Sequence, residues 1–380
     1  MQSSVYEQEH EDFRQTVRAF LTKEAAPVYD EWIEAGTAPR DFWRRAGDLG
    51  LLCFQAPQEY EGPGSDDFRF NAVLTEEMEA LGISYGGLRV QNDVVLPYLL
   101  RYATDEQRRR WLPGMVGGEL VTAIAMSEPG TGSDISGITT SAVRDGDHYV
   151  VNGSKTFISN GTHADLVITA VRTDPKQRYG GLTLLMVETT AGGFSRGGNL
   201  KKIGQSTQDT CELFFDDLRV PVADRLGAEG RAFDYLTSNL PQERLSIAVA
   251  AQSGAEAALE RTIGYVRERT AFGNRLSDFQ NTKFVLAESA AELRAGRALL
   301  DQSLLAHVRG ELDAAEAAVV KLFCTETQGR VVDRCLQLHG GYGYLHEYPI
   351  ARSWTDARVN RIFGGSSEIM KSIIANSLDL

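Results

Sequence analysis

The chain reads as an α+β protein in three parts: helical, then β, then a helical bundle. Three observations predict this. Apolar residues recur at helical spacing to about Gly118, change to short β-rich runs from Glu119 to about Val222, and return to helical spacing beyond Leu226. The runs never alternate as βαβ units, which removes the doubly wound class. A length of 380 residues allows two or three domains at roughly 150 residues each. The domain boundaries are placed at 1–118, 119–225 and 226–380.

In the first part Phe13, Val17 and Phe20 share a helical face, and Pro27 and Pro39 punctuate the segment after it. Phe42 to Leu52 and Ala72 to Leu81 read as further helices. Thr104-Asp-Glu-Gln107 is a helix start, with Thr104 as N-cap and Gln107 at the reciprocal capping position. Trp111-Leu-Pro-Gly predicts the end of that helix. In the middle part, Val143-Arg-Asp-Gly-Asp-His-Tyr-Val-Val carries an Asp-Gly turn between β-rich runs, a hairpin signal. Strands are expected at Leu166–Val171, Leu182–Val187 and Cys211–Phe215. In the last part Leu286, Ala290, Leu293, Leu300, Leu304 and Val308 form one stripe, and Glu311–Leu338 holds a single glycine, Gly329.

Thirty-nine lysines and arginines face 52 acids, a formal charge of −13. So acidic a surface repels phosphate backbones and anionic lipid, so neither nucleic acid nor membrane is an expected partner. No run approaches the ~18 apolar residues of a membrane helix. The opening MQSSVYEQEHEDF is polar and acidic rather than signal-like, and a cytoplasmic address is expected. Cys53, Cys211, Cys324 and Cys335 are scattered with no CxxC, and the six histidines include no HExxH, so no disulfide framework and no metal site are expected.

Gly193-Phe-Ser195-Arg-Gly197 matches a nucleophile elbow in letters, but no helix follows the serine, and a glycine turn between strands is the better reading. Asn152-Gly-Ser-Lys-Thr lacks the upstream glycine of a phosphate loop, and no GxGxxG exists. Ala125-Met-Ser-Glu-Pro-Gly-Thr-Gly-Ser-Asp134 is richer. Its small donor residues suit either a tight turn or close approach to an acceptor-rich ring or pyrophosphate. Composition leaves both readings open.

That decapeptide resembles the flavin-binding signature of the acyl-CoA dehydrogenases, and further motifs come in the family's order. Gly153-Ser-Lys-Thr-Phe-Ile-Ser-Asn-Gly161 resembles the strand against the flavin, and Lys201-Lys-Ile-Gly204 through Phe215-Asp-Asp-Leu-Arg-Val-Pro221 the end of the β-domain. Arg269-Thr-Ala-Phe-Gly273, Asp278-Phe-Gln280, Gln337-Leu-His-Gly-Gly-Tyr-Gly343 and Phe363-Gly-Gly-Ser-Ser-Glu368 resemble the remaining signatures. The resemblance spans essentially the whole chain. It implies a helical domain, a β-barrel-like middle domain and a C-terminal four-helix bundle. It also implies FAD contacts at Ile124, Ala125, Met126, Ser127, Gly132 and Ser133, and at Phe157, Ile158 and Ser159. Arg269, Phe272, Gln280, Gln337, Gly340 and Gly341 would hold the adenosine half, with Ser366 and Glu368 also on the cofactor side.

The implied reaction is α,β-dehydrogenation of an acyl-CoA thioester to the trans-2-enoyl thioester. A glutamate takes the α-proton, flavin N5 takes the β-hydride, and electrons pass to electron-transferring flavoprotein. The flavin ribityl hydroxyl and the backbone N–H of the base polarise the carbonyl. In medium- and short-chain members the base precedes the glycine of the last motif, where this chain has Gly364. Either the enzyme is dead or the base has moved, as in the long-chain and isovaleryl types, to Leu240-Pro-Gln-Glu-Arg-Leu245, which supplies Glu243. A solvated acid in a first helical turn, with Pro241 as first residue, is the bland alternative. Glycine at 364 together with glutamate at 243 favours the catalytic reading. Ser133, Pro241, Gln242, Arg244, Gly364 and Gly365 are then the expected substrate contacts. His339 reads as packing; Tyr342 and Tyr344 read as core or cleft aromatics. A homotetramer built as a dimer of dimers and a place in β-oxidation or branched-acid breakdown complete the expectation. The competing readings are a dehydrogenase of carrier-protein-tethered acyl groups, and a flavoprotein of the same fold acting as oxidase, monooxygenase or DNA-binding alkylation-response protein.

Overall fold

The computed structural model describes residues 5–380; the first four residues of domain 1–118 and of the polar N-terminal segment lie outside it. The first domain is helical: α1 (Gln8–Glu24), α2 (Tyr29–Ala35), α3 (Arg40–Asp48) and α4 (Arg69–Leu81). Then comes a continuous helix of three segments: α5 (Gly87–Arg89), a π-turn (Val90–Val95) and α6 (Leu96–Tyr102). It closes with α7 (Asp105–Val116). Val17, Phe20, Trp32, Phe42, Trp43 and Leu74 bury into one core with Tyr98 and Trp111. Thr104 caps α7 as expected, accepting the Gln107 N–H at 3.2 Å while Gln107 Oε1 accepts the Thr104 N–H at 2.9 Å. The expected stop at Trp111-Leu-Pro-Gly is wrong: Pro113 lies inside α7, which ends at Val116. Proline deletes only its own N–H bond to the carbonyl of Arg109, and the burial of Trp111, Leu112 and Met115 outweighs that loss.

Eight strands form the middle domain: β1 (Thr122–Ala125), β2 (Ser141–Asp145), β3 (His148–Ser159), β4 (Leu166–Arg172), β5 (Leu182–Glu188), β6 (Phe194–Arg196), β7 (Thr210–Pro221) and β8 (Arg225–Leu226). The sheet order is β6-β7-β3-β2-β4-β5-β8, with β1 branching off this path as a parallel partner of β4. The β2–β3 hairpin forms at the Asp-Gly signal, with Gly146 at φ 63°. Ser195 sits in the short strand β6 opposite Phe214, so the expected glycine turn at 193–197 is corrected: only Gly193, at φ 89°, lies in the turn before the strand. Leu226 pairs with Leu184, so the sheet ends just beyond the expected boundary at 225.

The last domain packs three long helices, α8 (Ala232–Glu268), α9 (Gln280–Val308) and α10 (Ala314–His339), with the shorter α11 (Pro349–Ala357) and α12 (Ser367–Ser377). A small hairpin of β9 (Thr270–Ala271) and β10 (Asn274–Arg275) joins α8 to α9. The stripe on α9 is buried at Leu293, Leu300 and Leu304. All four cysteines are buried free thiols. Among the described residues, no helix is long and apolar enough to cross a membrane.

Candidate active site

Glu243 stands in the interior of α8, not in a first turn. The helix begins at Ala232 and Pro241 lies within it, correcting the expectation that Pro241 opens the helix. The carbonyl that Pro241 leaves without a helical partner belongs to exposed Thr237, where water can serve it. Glu243 is only 6% exposed, which removes the solvated-acid alternative. The Tyr98 hydroxyl donates to its Oε1 at 3.1 Å and Asn239 Nδ2 donates to the same oxygen at 3.2 Å. Burial raises the Glu243 pKa to about 7, against the hydrogen bonds and the Arg244 charge, which favour the ionised form.

The segment from Gly87 to Tyr102 forms the facing wall. Pro97 has no N–H for the carbonyl of Asp93 four residues back; Gln242 Nε2 donates to that carbonyl instead, at 2.8 Å. Asn239 Nδ2 likewise donates to the Val94 carbonyl at 3.2 Å. The Asp93 carboxylate accepts from Asn71 and Ser246, and His307 Nε2 meets Gln242 Oε1 at 3.2 Å. Both ends of the Gln242 amide are therefore engaged within the protein, and its part in a substrate site is to hold helices together.

Across from α8 lies the Gly364–Gly365 turn, with φ of 63° and 99°. Arg244 Nε donates to the Gly364 carbonyl at 3.4 Å and buried Lys321 Nζ to the Gly365 carbonyl at 2.6 Å. A Cβ on Gly364 would lie 2.3 Å from Ile247 Cδ1. Glu243, Arg244, Ile247 and the glycine turn therefore share one face.

The two motifs expected on the flavin side meet in space. Thr156 N–H donates to the Ser127 carbonyl at 2.9 Å, and Lys155 Nζ to the Met126 carbonyl at 3.1 Å and Glu128 Oε1 at 2.9 Å. Thr139 and Thr140 complete the Glu128 shell, and Lys155 with these donors holds Glu128 down at about 2. A register shift in β3 between Lys155 and Ile158 turns Phe157 outward at φ 59°, leaving it 69% exposed. Ile158 and Ala125 instead face the β core, so only their backbones can meet a ligand. Ile124 and Met126 are half-buried against the helical core. Ser127 and Ser159 are half-buried, and their hydroxyls have no hydrogen bond among the described residues; Gly132 and Ser133 are exposed. A Cβ at Gly130 or Gly132 would meet open space. Outward aromatic, free hydroxyls and uncrowded glycines fit a planar, acceptor-rich ring such as flavin. Gln91 Oε1 accepts from Thr122 N–H at 3.0 Å and Asn160 Nδ2 donates to the Gly87 carbonyl at 3.1 Å, locking this side to the wall that carries Tyr98.

The adenosine-side residues sit elsewhere. Arg269 caps the far end of α8, about 39 Å along the helix from Glu243 at 1.5 Å per residue. Its guanidinium lies 5.2 Å over the Tyr342 ring, and Tyr265 stacks on His339 at 4.1 Å, a packing role for that histidine. Phe272 at the hairpin tip is 95% exposed, Gln280 opens α9, Gln337 is in the last turn of α10, and Gly340 and Gly341 have no neighbour near a Cβ. Ser366 caps α12 and Glu368 lies exposed in its first turn, where Ser366, the helix start and nearby cations lower its pKa. Tyr344 is exposed. Glu9, His10 and Asp67 bring ligand atoms within 4.8 Å of one another, but His10 already spends Nδ1 on the Glu7 N–H and Nε2 on Asp67.

Sequence reasoning misses Tyr98, Asn239, Asp93, Gln91 and the Lys155–Glu128 pair. Asn239 could have been found, one helical turn before Glu243. Tyr98 could not, standing 145 positions away with no local signal.

Three family models, described as acyl-CoA dehydrogenase N-terminal, middle and C-terminal domain, match residues 7–119, 123–218 and 230–378. The mitochondrial long-chain specific acyl-CoA dehydrogenase of Rattus norvegicus is 42% identical over 98% of this chain and 87% of its own. The crystal structure of an acyl-CoA dehydrogenase from Geobacillus kaustophilus superposes with TM-score 0.98 at 48% identity, covering 100% of both chains. Butyryl-CoA dehydrogenase from Megasphaera elsdenii gives 0.93 at 30% identity, covering 99% of each.

Proposed function

The chain belongs to the acyl-CoA dehydrogenase family, and from that premise we propose that it oxidises a saturated acyl-CoA to the trans-2-enoyl thioester with Glu243 as the base. One observation carries the assignment: the Glu243 carboxylate is buried, which raises its pKa, has one oxygen tethered by Tyr98 and Asn239, and stands one helical turn before Ile247, which lies against the Gly364 turn. A group titrating near neutrality is a competent proton acceptor at working pH and a weak enough one not to stay protonated. The acceptor for the β-hydrogen is the chemistry that bound FAD supplies, held by Ser127, Phe157, Ser159 and their neighbours.

Polarising the thioester carbonyl falls to a different N–H from the one expected. The N–H of Glu243 belongs to the ladder of α8 and is not available. In the turn that Arg244 and Lys321 hold by its carbonyls, the Gly364 N–H has no backbone partner among the described residues and can donate to that oxygen. Glu243→Gln tests the base. FAD and thioester should still bind, while anaerobic stopped-flow reduction of the flavin by substrate falls by about 10² to 10⁴-fold. Reduction at the wild-type rate would return the search to Glu368.

Transfer of electrons to electron-transferring flavoprotein, a role in fatty-acid breakdown and a cytoplasmic location extend the same reading. So does a dimer-of-dimers tetramer. Support for the tetramer lies in Arg269, which closes α8 about 39 Å along the helix from Glu243, too far to serve that centre of its own chain, with exposed Phe272 three residues beyond it.

A further inference from the structure

The helix that carries Tyr98 is irregular in a way that proton transfer to Glu243 does not by itself require. Leu96 N–H reaches the Gln91 carbonyl five residues back, so the Gly87–Tyr102 segment carries an extra residue in its turn. Each inserted residue rotates everything after it by about 100° around the helix axis. The irregularity is held from outside, by Gln242 on the Asp93 carbonyl, Asn239 on the Val94 carbonyl and Ser246 on the Asp93 carboxylate, all from α8. Tyr98 is the third residue after the π-turn, and its ring is fully buried with its hydroxyl on Glu243 Oε1.

We propose that Tyr98 is the positioning residue of the base: its hydroxyl, phased by the π-turn, holds Glu243 Oε1 so that Oε2 is left to take the α-proton. This rests on the reading of Glu243 as base. No hydrogen bond reaches Oε2 among the described residues, whereas Oε1 has two. Without the π-turn the hydroxyl would point about a quarter-turn away from α8. Tyr98 itself stays a donor, since burial and the neighbouring carboxylate push its phenol well above the usual range. The other groups around Glu243 are Arg244 on its own helix, Arg101 through Asn239, and Asp93 and His307 through Gln242. Burial keeps His307 neutral, down at about 4. Among the described residues, only Tyr98 and Asn239 hydrogen-bond the carboxylate.

The test is the pH profile of substrate-driven flavin reduction in the FAD-loaded enzyme carrying Tyr98→Phe. The hydroxyl favours the ionised carboxylate, so its loss should move the acid limb up by about one pH unit and lower the plateau by about ten-fold. The KM for the thioester should change less. A limb that stays at the wild-type pH overturns the inference whatever the plateau does, because a packing role would change FAD content and Tm but not the titration. If Tyr98→Phe does not fold, 3-fluorotyrosine placed at 98 keeps the shape and strengthens the donor. It should move the limb downward, and an unmoved limb again overturns the proposal. Glu243→Gln run in parallel separates the two readings. If it is inactive and the Tyr98 variants titrate as wild type, the positioning role alone fails; if it is active, the base assignment has failed.

Discussion

At the scale of single residues, Glu243 sets a pH dependence with a definite sign. Its carboxyl is raised to about 7 in the fold, so the protonated form is favoured there relative to the unfolded chain. That contribution to stability is fully present below the unfolded value and is lost as pH rises through about 7. Activity needs the ionised form and rises over the same window. The acid limb of kcat/KM should therefore lie near pH 7, and Glu243→Gln should unfold no earlier than wild type at pH 8 by differential scanning fluorimetry. Moving the base to 364 meets two obstacles, which the sequence did not reveal. Gly364 has φ 63°, a region that side chains rarely adopt, and a Cβ there would strike Ile247 at 2.3 Å. Gly364→Glu in the Glu243→Gln background should therefore stay inactive, and Ile247→Ala added to it should recover part of the flavin reduction in stopped flow. Glycine at 364 was readable in the sequence; the isoleucine filling its place was not, because 117 positions separate them.

At the scale of elements, capping and hairpin chemistry was legible because it is local. Thr104 and Gln107 satisfy each other across three residues, and Thr104→Ala should cost about 1 kcal/mol, seen as a fall in Tm with activity unchanged. The Asp-Gly turn formed its hairpin for the same reason. Prolines misled in both helices. Pro113 and Pro241 read as a stop and a start, yet each lies inside its helix, because packing on the remaining faces exceeds the cost of one lost bond. The exposed turn at Phe157 depends on a pair that only the fold brings together. Lys155 and Glu128 are both buried, their Nζ and Oε1 2.9 Å apart beneath the expected flavin side. Glu128→Ala would leave the lysine buried without its acid, at a cost of about 3–5 kcal/mol. The expected outcome is lower chemical stability with reduced FAD retention, measured by denaturant titration and by absorbance after gel filtration.

At the scale of the whole molecule, the distance along α8 between Glu243 and Arg269 divides the chain into a reacting centre and a remote set that is exposed in the single protomer. Arg269→Glu should weaken FAD binding and shift light-scattering mass toward smaller species, while a wild-type protein that is monomeric with full FAD would show that Arg269 does not serve the FAD of a second protomer. Order of domains, class of each, the glycine motifs and the pairing of Gly364 with Glu243 were all determined by the sequence itself, since hydrophobic period, turn chemistry and motif spacing act within a few tens of residues. Only the tertiary structure decided that Glu243 is buried mid-helix, that Gln242 serves the fold rather than the substrate, and that Tyr98 reaches the base. Each depends on side chains from different domains meeting in a space with little water. Desolvation and hydrogen-bond partners there belong to the packing of the whole and leave no periodic trace along the chain.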